Sequence, residues 1–170
     1  VLDQSGTSIV LGTGDVIQDF KYVSNAVGTS SQLSVISTEK GIYWIDTNSK
    51  KIYAFRADGL ESISDIHGMK SWAFNNITKD TKLVTGHDTI NNEVLFSIEG
   101  AQGNTLVFNE IINSFTSLYT YKTNLFINTH DKLLSVGDNN KLYLHNEGPY
   151  ATWYEVNDNS QIEFVINKNP

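Results

Sequence analysis

The sequence of 170 residues contains no cysteine, two prolines and one methionine. The absence of cysteine excludes disulfide bonds, thiolate nucleophiles and cysteine-ligated zinc sites, and it leaves the redox compartment open. Basic residues are also few, because 12 Lys and Arg stand against 19 Asp and Glu, for a net charge of −7. The longest basic run is Lys50-Lys51. Since binding of a phosphate backbone needs a basic stripe, we expect no nucleic-acid partner.

Long apolar runs are missing as well. No apolar stretch approaches the roughly 18 residues that indicate a membrane span, and no basic segment followed by an apolar one opens the chain. We therefore expect no membrane span, and no signal peptide is visible. The sequence starts at Val1 without a methionine and ends at Asn169-Pro170, directly after a predicted strand over residues 162–166. We interpret it as a piece of a longer polypeptide.

The residues that are present favour an all-β protein. Hydrophobic residues make up 39% of the chain, with eight Tyr and eight Phe, which is enough for the core of one domain. Residues 41–64 give the clearest β pattern, because two runs of β-branched and aromatic residues flank the turn formers of residues 46–49. Asp58-Gly59 then predicts a tight hairpin into a third strand. With an alternating strand over residues 32–37, this segment predicts a four-stranded antiparallel unit.

The same pattern recurs twice further along the chain. We predict blades over residues 32–64, 82–121 and 124–155, and the last of them ends with a strand over residues 151–155. Four-stranded repeats of about 40–50 residues are typical of β-propeller blades. The predicted fold is therefore all-β and β-propeller-like, with a β-sandwich as the alternative.

Three blades are too few to close a propeller ring, which needs about 4–8 blades. We predict repeats over residues 32–170 and an irregular segment over residues 1–31, in which residues 8–11 and 19–23 are candidate strands. This segment and residues 161–170 could form an irregular fourth blade, or the missing blades lie elsewhere in a longer chain. The chain ends favour the second alternative.

One helix interrupts the β pattern near residues 66–77. Met69, Trp72, Ala73 and Ile77 share one helical face, and Ser64 or Asp65 could cap its start. Trp72 on this face and Trp44 in an apolar strand are predicted to lie in the core.

Two His-Asp pairs, at residues 87–88 and 130–131, could form a relay or a metal site. Their positions in the repeat differ, which favours ordinary turn chemistry. The segments at residues 46–49 and 138–140 lack the ligand spacing of a calcium loop, so Asp46 and Asp138 are predicted turn residues.

A glycosidase needs two carboxylates about 5–9.5 Å apart across the sugar. Sequence cannot pair the available candidates, which are Glu61, Glu93, Glu99, Glu110, Glu147 and Glu163. No nucleotide-binding loop or nucleophile elbow occurs. We expect no catalytic residue, metal or cofactor.

One aromatic cluster is predicted to be partly exposed. Tyr150, Trp153 and Tyr154 follow the turn formers Gly148-Pro149, and their rings could form an interface or stack on a sugar. These three residues are the candidate binding site.

Three segments, GTSIVLGTGDVI, KGIYWIDTNSKKIYAFRADGLESISDIHGMKSW and THDKLLSVGDNNKLYLHNEG, resemble large β-rich virion structural proteins of crAss-like tailed bacteriophages, of the neck, tail-hub and muzzle type. The resemblance covers nearly the whole chain and carries no catalytic motif. It implies a non-enzymatic propeller-like domain in the tail or neck of a virion. The implied partners are other virion proteins, copies of the chain and the rest of its own polypeptide. A carbohydrate- or receptor-binding propeller module that contacts a host surface glycan is the alternative function.

Overall fold

The computed structural model describes residues 22–101, 104–157 and 159–163, which are mostly antiparallel β-strands with few helices. The candidate strand at residues 8–11 lies outside the described residues, as do most of the strand predicted at 19–23 and residues 164–166 of the last predicted strand. Tyr22, Val23, Ile162 and Glu163 are described, and they belong to no strand.

The first sheet is a four-stranded meander whose neighbours in sequence are neighbours in space. A 3-10 turn, Gln32–Ser34, leads into its strands, which are β1 (Val35–Ser37), β2 (Ile42–Asp46), β3 (Lys51–Arg56) and β4 (Gly59–Ser62). The second sheet repeats this order with β5 (Leu83–Asp88), β6 (Glu93–Ile98), β7 (Thr105–Asn109) and β8 (Ser114–Tyr119). The structure thus contains the strands predicted for the first two repeats, with small shifts at their ends.

The third sheet differs from the first two. It contains three strands in the order β11-β10-β9, which are β9 (Thr123–Asn128), β10 (Leu133–Gly137) and β11 (Leu142–Leu144). The fourth strand predicted at residues 151–155 is wrong, since β12 (Thr152–Trp153) pairs instead with β13 (Val156–Asn157) in a separate hairpin. Extended backbone ends there because the φ angles of Ala151, Tyr154 and Glu155 are 55°, 51° and 69°.

Two short helices replace the single predicted one. They are α1 (Ile63–Ile66) and α2 (Lys70–Asn76), and Gly68 lies between them with φ at 78°. Ala73 and Ile77 are buried as the predicted helical face requires. The predicted cap is wrong, because α1 begins after Ser62, and the hydroxyl of Ser64 instead accepts the backbone N–H of Ile52 at 3.1 Å.

Three hairpin turns share one hydrogen-bonding scheme. The Oδ1 atoms of Asp46, Asp88 and Asn109 each accept backbone N–H groups from the residues two and three positions later. Each turn ends with a residue of positive φ, which is Lys50, Asn92 or Asn113. Asp and Asn side chains close turns in this way because they reach their own main chain. The prediction that Asp46 is a turn residue is confirmed.

The second sheet lies between the other two, and its strands β5, β6 and β7 are mostly buried on both faces, whereas the residues of β8 are half-buried or exposed. Phe96 and Phe108 point into a core that they share with Tyr43 and Ile45 of the first sheet. The alternate positions point to the opposite side, into a second core shared with the third sheet, whose members include Val84, Leu95, Val107, Phe126 and Leu133. Successive residues of a strand point to opposite faces, so a run of consecutive apolar residues is typical of a strand that is covered on both sides.

The first strands of the three sheets lie side by side, in the order β1, β5, β9. Thr85 in β5 donates its hydroxyl to the carbonyl of Ser34 at 3.0 Å, on the side of the first sheet. Gly86 faces the third sheet, where a Cβ atom would lie 2.5 Å from Cγ of Phe126. Glycine therefore permits the close approach of β5 and β9.

Candidate functional site

Two of the three predicted site residues are packed into an aromatic cluster beneath the third sheet. The ring of Trp153 lies 4.7 Å from that of Tyr121 and 5.6 Å from that of Tyr119. The ring of Tyr154 lies 4.4 Å from that of Tyr143. These ring-to-ring distances are those of favourable aromatic pairs. Both side chains are half-buried, so much of their aromatic surface is already used inside the protein.

A buried hydrogen-bond chain fixes the position of Tyr154. Its hydroxyl donates to Oγ of Ser135 at 2.7 Å, and the Ser135 hydroxyl lies 2.7 Å from Nε2 of His145. Ser135 accepts from Tyr154, and its own hydroxyl donates to Nε2 of His145 in the tautomer that carries the ring hydrogen on Nδ1. Burial lowers the pKa of His145 to about 4, which keeps the ring neutral at physiological pH. Burial also raises the pKa of Tyr154.

Tyr150 differs from Trp153 and Tyr154 in its exposure to solvent. Its side chain is fully exposed at the tip of the loop before β12, whereas Trp153 and Tyr154 anchor the loop on the sheet. The three residues border one cleft of about 720 Å³, which is lined by β11 and the segment over residues 145–155. The structure therefore brings the predicted residues around one concavity and leaves one aromatic ring free to contact a partner.

The outer face of the third sheet is a surface that sequence reasoning did not single out. Cross-strand pairing places six aliphatic side chains on this face, namely Leu125, Ile127, Leu134, Val136, Leu142 and Leu144. All six are exposed or half-buried, and Leu142 is 58% exposed. A signal was present in the sequence, because β9 and β10 carry apolar residues at successive positions, as strands covered on both faces do.

The outer face of the first sheet is also apolar. The cross-strand registers place Val35, Ile42, Trp44, Tyr53, Phe55 and Leu60 there. Val35 and Ile42 are exposed, Tyr53 is buried, and the other three are half-buried. Trp44 stacks on Tyr53 with ring centroids 5.7 Å apart, so it belongs to this face and not to the central core that we predicted. Trp72 packs against the edge of the first core, in partial agreement with its prediction.

A polar cluster closes one end of the contact between the first and second sheets. The carboxylate of Glu110 accepts hydrogen bonds from Oγ1 of Thr38 at 2.7 Å and from Nε2 of His87 at 3.1 Å. Although burial alone would raise the pKa of Glu110, the hydrogen bonds from His87 and Thr38 hold it below its usual value. We refer to Thr38, His87 and Glu110, together with the pair Arg56 and Asn113, as the clasp.

Arg56 makes the second link of the clasp. Its Nη1 atom donates to Oδ1 of Asn113 in the second sheet at 2.7 Å and lies 3.0 Å from Oε1 of Glu61. Its guanidinium also lies 5.3 Å from the ring centroid of Phe108, a cation–π distance. Because Glu110 and Asn113 belong to one turn, the β7–β8 turn ties the first sheet to the second.

The remaining candidates for chemistry have structural partners or lie apart. Asp88 closes its turn and accepts the side-chain amide of Asn146 at 2.8 Å, whereas His130 and Asp131 lie in an exposed turn. Glu93 accepts the hydroxyl of Tyr119 at 3.1 Å. Within residues 22–101, 104–157 and 159–163, no group of three His, Asp or Glu side chains is placed to hold a metal ion. No helix in the same ranges is long and apolar enough to cross a membrane.

Stacked antiparallel sheets with few helices define a β-rich protein. Residues 1–139 match the family profile of the crassvirus muzzle protein, and the chain belongs to this family. Membership places it among the structural components of a phage virion. The muzzle protein of Bacteroides phage crAss001 is 25% identical over 170 residues, an alignment that covers 95% of the chain and 12% of that relative. The chain thus spans about an eighth of the length of this curated relative.

Proposed function

We propose that these residues form a non-enzymatic assembly module in the tail or neck of the virion, which acts through the outer faces of its sheet stack. The observation that carries this proposal is the aliphatic outer face of the third sheet, whose six side chains are all exposed or half-buried. Contiguous exposed apolar surface of this kind is typical of protein–protein interfaces.

The two internal contacts indicate the chemistry of the external ones. Between the first and second sheets, the rings of Tyr43 and Phe108 lie with their centroids 6.0 Å apart in a core that they share with aliphatic residues. The outer faces offer similar residues at the same alternating positions, and burial of apolar surface contributes about 25 cal/mol per Å². We therefore expect each outer face to pack against another β-sheet.

A propeller-like arrangement is the architecture that fits this expectation. Consecutive meanders stack face to face, and their first strands lie side by side, as the innermost strands of propeller blades do. Because three sheets cannot close a ring, further sheets would complete it. The relative's greater length favours the rest of the same polypeptide as their main source, with copies of the chain and other virion proteins as further partners.

The test is the association state of the isolated 170-residue chain. Because the aliphatic face of the third sheet is exposed, the chain should self-associate at high concentration in light scattering coupled to size-exclusion chromatography. Leu142→Lys on the aliphatic face should shift the chain toward monomer. Ile111→Lys is the matched control, because Ile111 is 67% exposed in the β7–β8 turn and lies on neither face. A wild-type chain that stays monomeric at high concentration would overturn the proposal.

A second candidate function is binding of a carbohydrate or receptor by Tyr150, Trp153 and Tyr154. The favouring observation is the cleft of about 720 Å³ that these residues border. A glycan array would test it, with Tyr150→Ala and Trp153→Ala as variants. Tyr150→Ala is the cleaner change, because Tyr150 is fully exposed and Trp153 also supports the packing of its loop. A blank array with the wild-type chain would exclude the glycan function.

A further inference from the structure

The third sheet has an open edge next to a cleft. Strand β11 is its outermost strand, and no fourth strand pairs with it among the residues that the structure describes. In the first two sheets a fourth strand, β4 or β8, occupies the corresponding position. Residues 151–155, which the repeat pattern assigns to this position, form part of the separate β12–β13 hairpin.

The register identifies which backbone groups of β11 are unused. The N–H of Gly137 bonds to the carbonyl of Lys141, and the N–H of His145 bonds to the carbonyl of Leu133. Hydrogen-bonded pairs alternate with non-bonded pairs in an antiparallel ladder, so Tyr143 bonds to Ser135 between them. The N–H and C=O groups of Leu142 and Leu144 therefore point away from β10, toward the open edge.

These backbone groups meet a cavity of suitable character. All three residues of β11 line the cleft of about 720 Å³, together with the segment over residues 145–155. The cleft thus combines a row of unpaired ladder groups with apolar side chains, of which Leu142 and Leu144 continue the aliphatic outer face. A strand that adds to a sheet edge uses these two features, main-chain hydrogen bonds for affinity and pockets for alternate side chains.

We propose that this cleft accepts a β-strand from the muzzle polypeptide outside these 170 residues, and that the strand pairs with β11 to complete the third sheet. The source follows from length, because the aligned region is 12% of the relative and leaves most of that polypeptide to supply the strand. The donated strand carries apolar residues at alternate positions, where they extend the aliphatic face. The proposed strand pairing depends on the proposed assembly role in one respect only, namely that the strand comes from a virion protein.

Hydrogen exchange in the full-length muzzle polypeptide, resolved to single residues by fragmentation, tests the pairing. The amide of Tyr143 is bonded within the sheet and serves as the internal reference. We expect the amides of Leu142 and Leu144 to exchange at least about 100-fold more slowly than unprotected amides, as that of Tyr143 does. Exchange of both at the rate of an open edge, with Tyr143 protected, would overturn the proposal.

Two further measurements identify the donor. Protection that persists when the full-length protein is diluted to monomer indicates an intramolecular strand, whereas protection lost on dilution means that another copy supplies it and overturns the proposal. Leu144→Pro removes an outward N–H without removing a bond to β10, so it should abolish protection of Leu142 while amides of β9 stay protected. Unchanged protection of Leu142 would contradict the pairing. If the amides of β9 also lose protection in the Leu144→Pro variant, the dilution series of the wild-type protein alone tests the proposed pairing. That series does not depend on whether the isolated chain self-associates.

Discussion

The two contacts between sheets are built from different chemistry. The contact between the first and second sheets is an apolar core. One end of this core is closed by the charged side chains of Glu110 and Arg56 and their hydrogen-bond partners. The contact between the second and third sheets is smaller and more aromatic, and next to it a neutral chain of Tyr154, Ser135 and His145 ties the segment after β11 to the inner face of the third sheet. The second contact should therefore be the more sensitive to mild acid, because protonation of one buried ring disrupts it.

The largest effect is expected from the titration of His145. Its pKa is about 4 in the folded chain, against 6.5 for an unperturbed histidine, so the unfolded state takes up the proton first as pH falls. The stability that this site contributes is complete above about pH 6.5 and is lost as pH falls toward 4. At 1.36 kcal/mol per pKa unit, the loss between pH 7.5 and 4 is about 3 kcal/mol.

Urea unfolding across this pH range measures the effect. His145→Gln should reduce the pH dependence by this amount, whereas His130→Gln, a change in an exposed turn, should leave it as in the wild type. Equal pH dependence of the wild type and His145→Gln would show that the ring does not control the second contact.

A steric change at Gly86 tests the same contact without altering charge. The methyl group of Gly86→Ala would lie 2.5 Å from Cγ of Phe126, so β5 and β9 must move apart. Overpacking of this kind costs about 2 kcal/mol, which thermal unfolding would detect. Gly28→Ala is the control, because a methyl group there would contact nothing within 4 Å. The double variant Gly86→Ala, Phe126→Leu should recover part of the loss, and no recovery would place the clash elsewhere.

The strands and turns of the first two sheets could be predicted because their signals are local. Asp46 is followed at once by the backbone groups that its side chain binds, so four residues carry the whole interaction. The fourth strand of the third sheet could not be predicted in the same way. Residues 151–155 have a strand-like composition, but Ala151, Tyr154 and Glu155 adopt positive φ while Trp153 and Tyr154 pack on the third sheet. Tertiary packing overrides local preference there.

The clasp could not be predicted from the sequence, for a related reason. Thr38 and Glu110 are 72 residues apart, and only the stacking of the first sheet on the second brings them within 2.7 Å. In sequence, Glu110 was one of six unpaired carboxylates. The candidate cleft could be predicted in part. The aromatic cluster of residues 150–154 can be recognised in the sequence, whereas its packing against Tyr121 and Ser135 depends on the fold.

The smallest of the three effects is expected at the clasp, where Glu110→Gln keeps the shape and one acceptor oxygen but removes the charge. The variant should lose about 1 kcal/mol at pH 7, since hydrogen bonds to a charged group are stronger than neutral ones. The pKa of Glu110 is lowered by folding, so its contribution is present above the pKa of the unfolded carboxyl and is lost as pH falls through the folded value. The difference between wild type and variant in urea unfolding should therefore vanish in acid, at lower pH than the loss at His145, while exposed Glu147→Gln should show no difference. A difference that persists at low pH would mean that Glu110 acts through packing and that its charge does not stabilise the first contact.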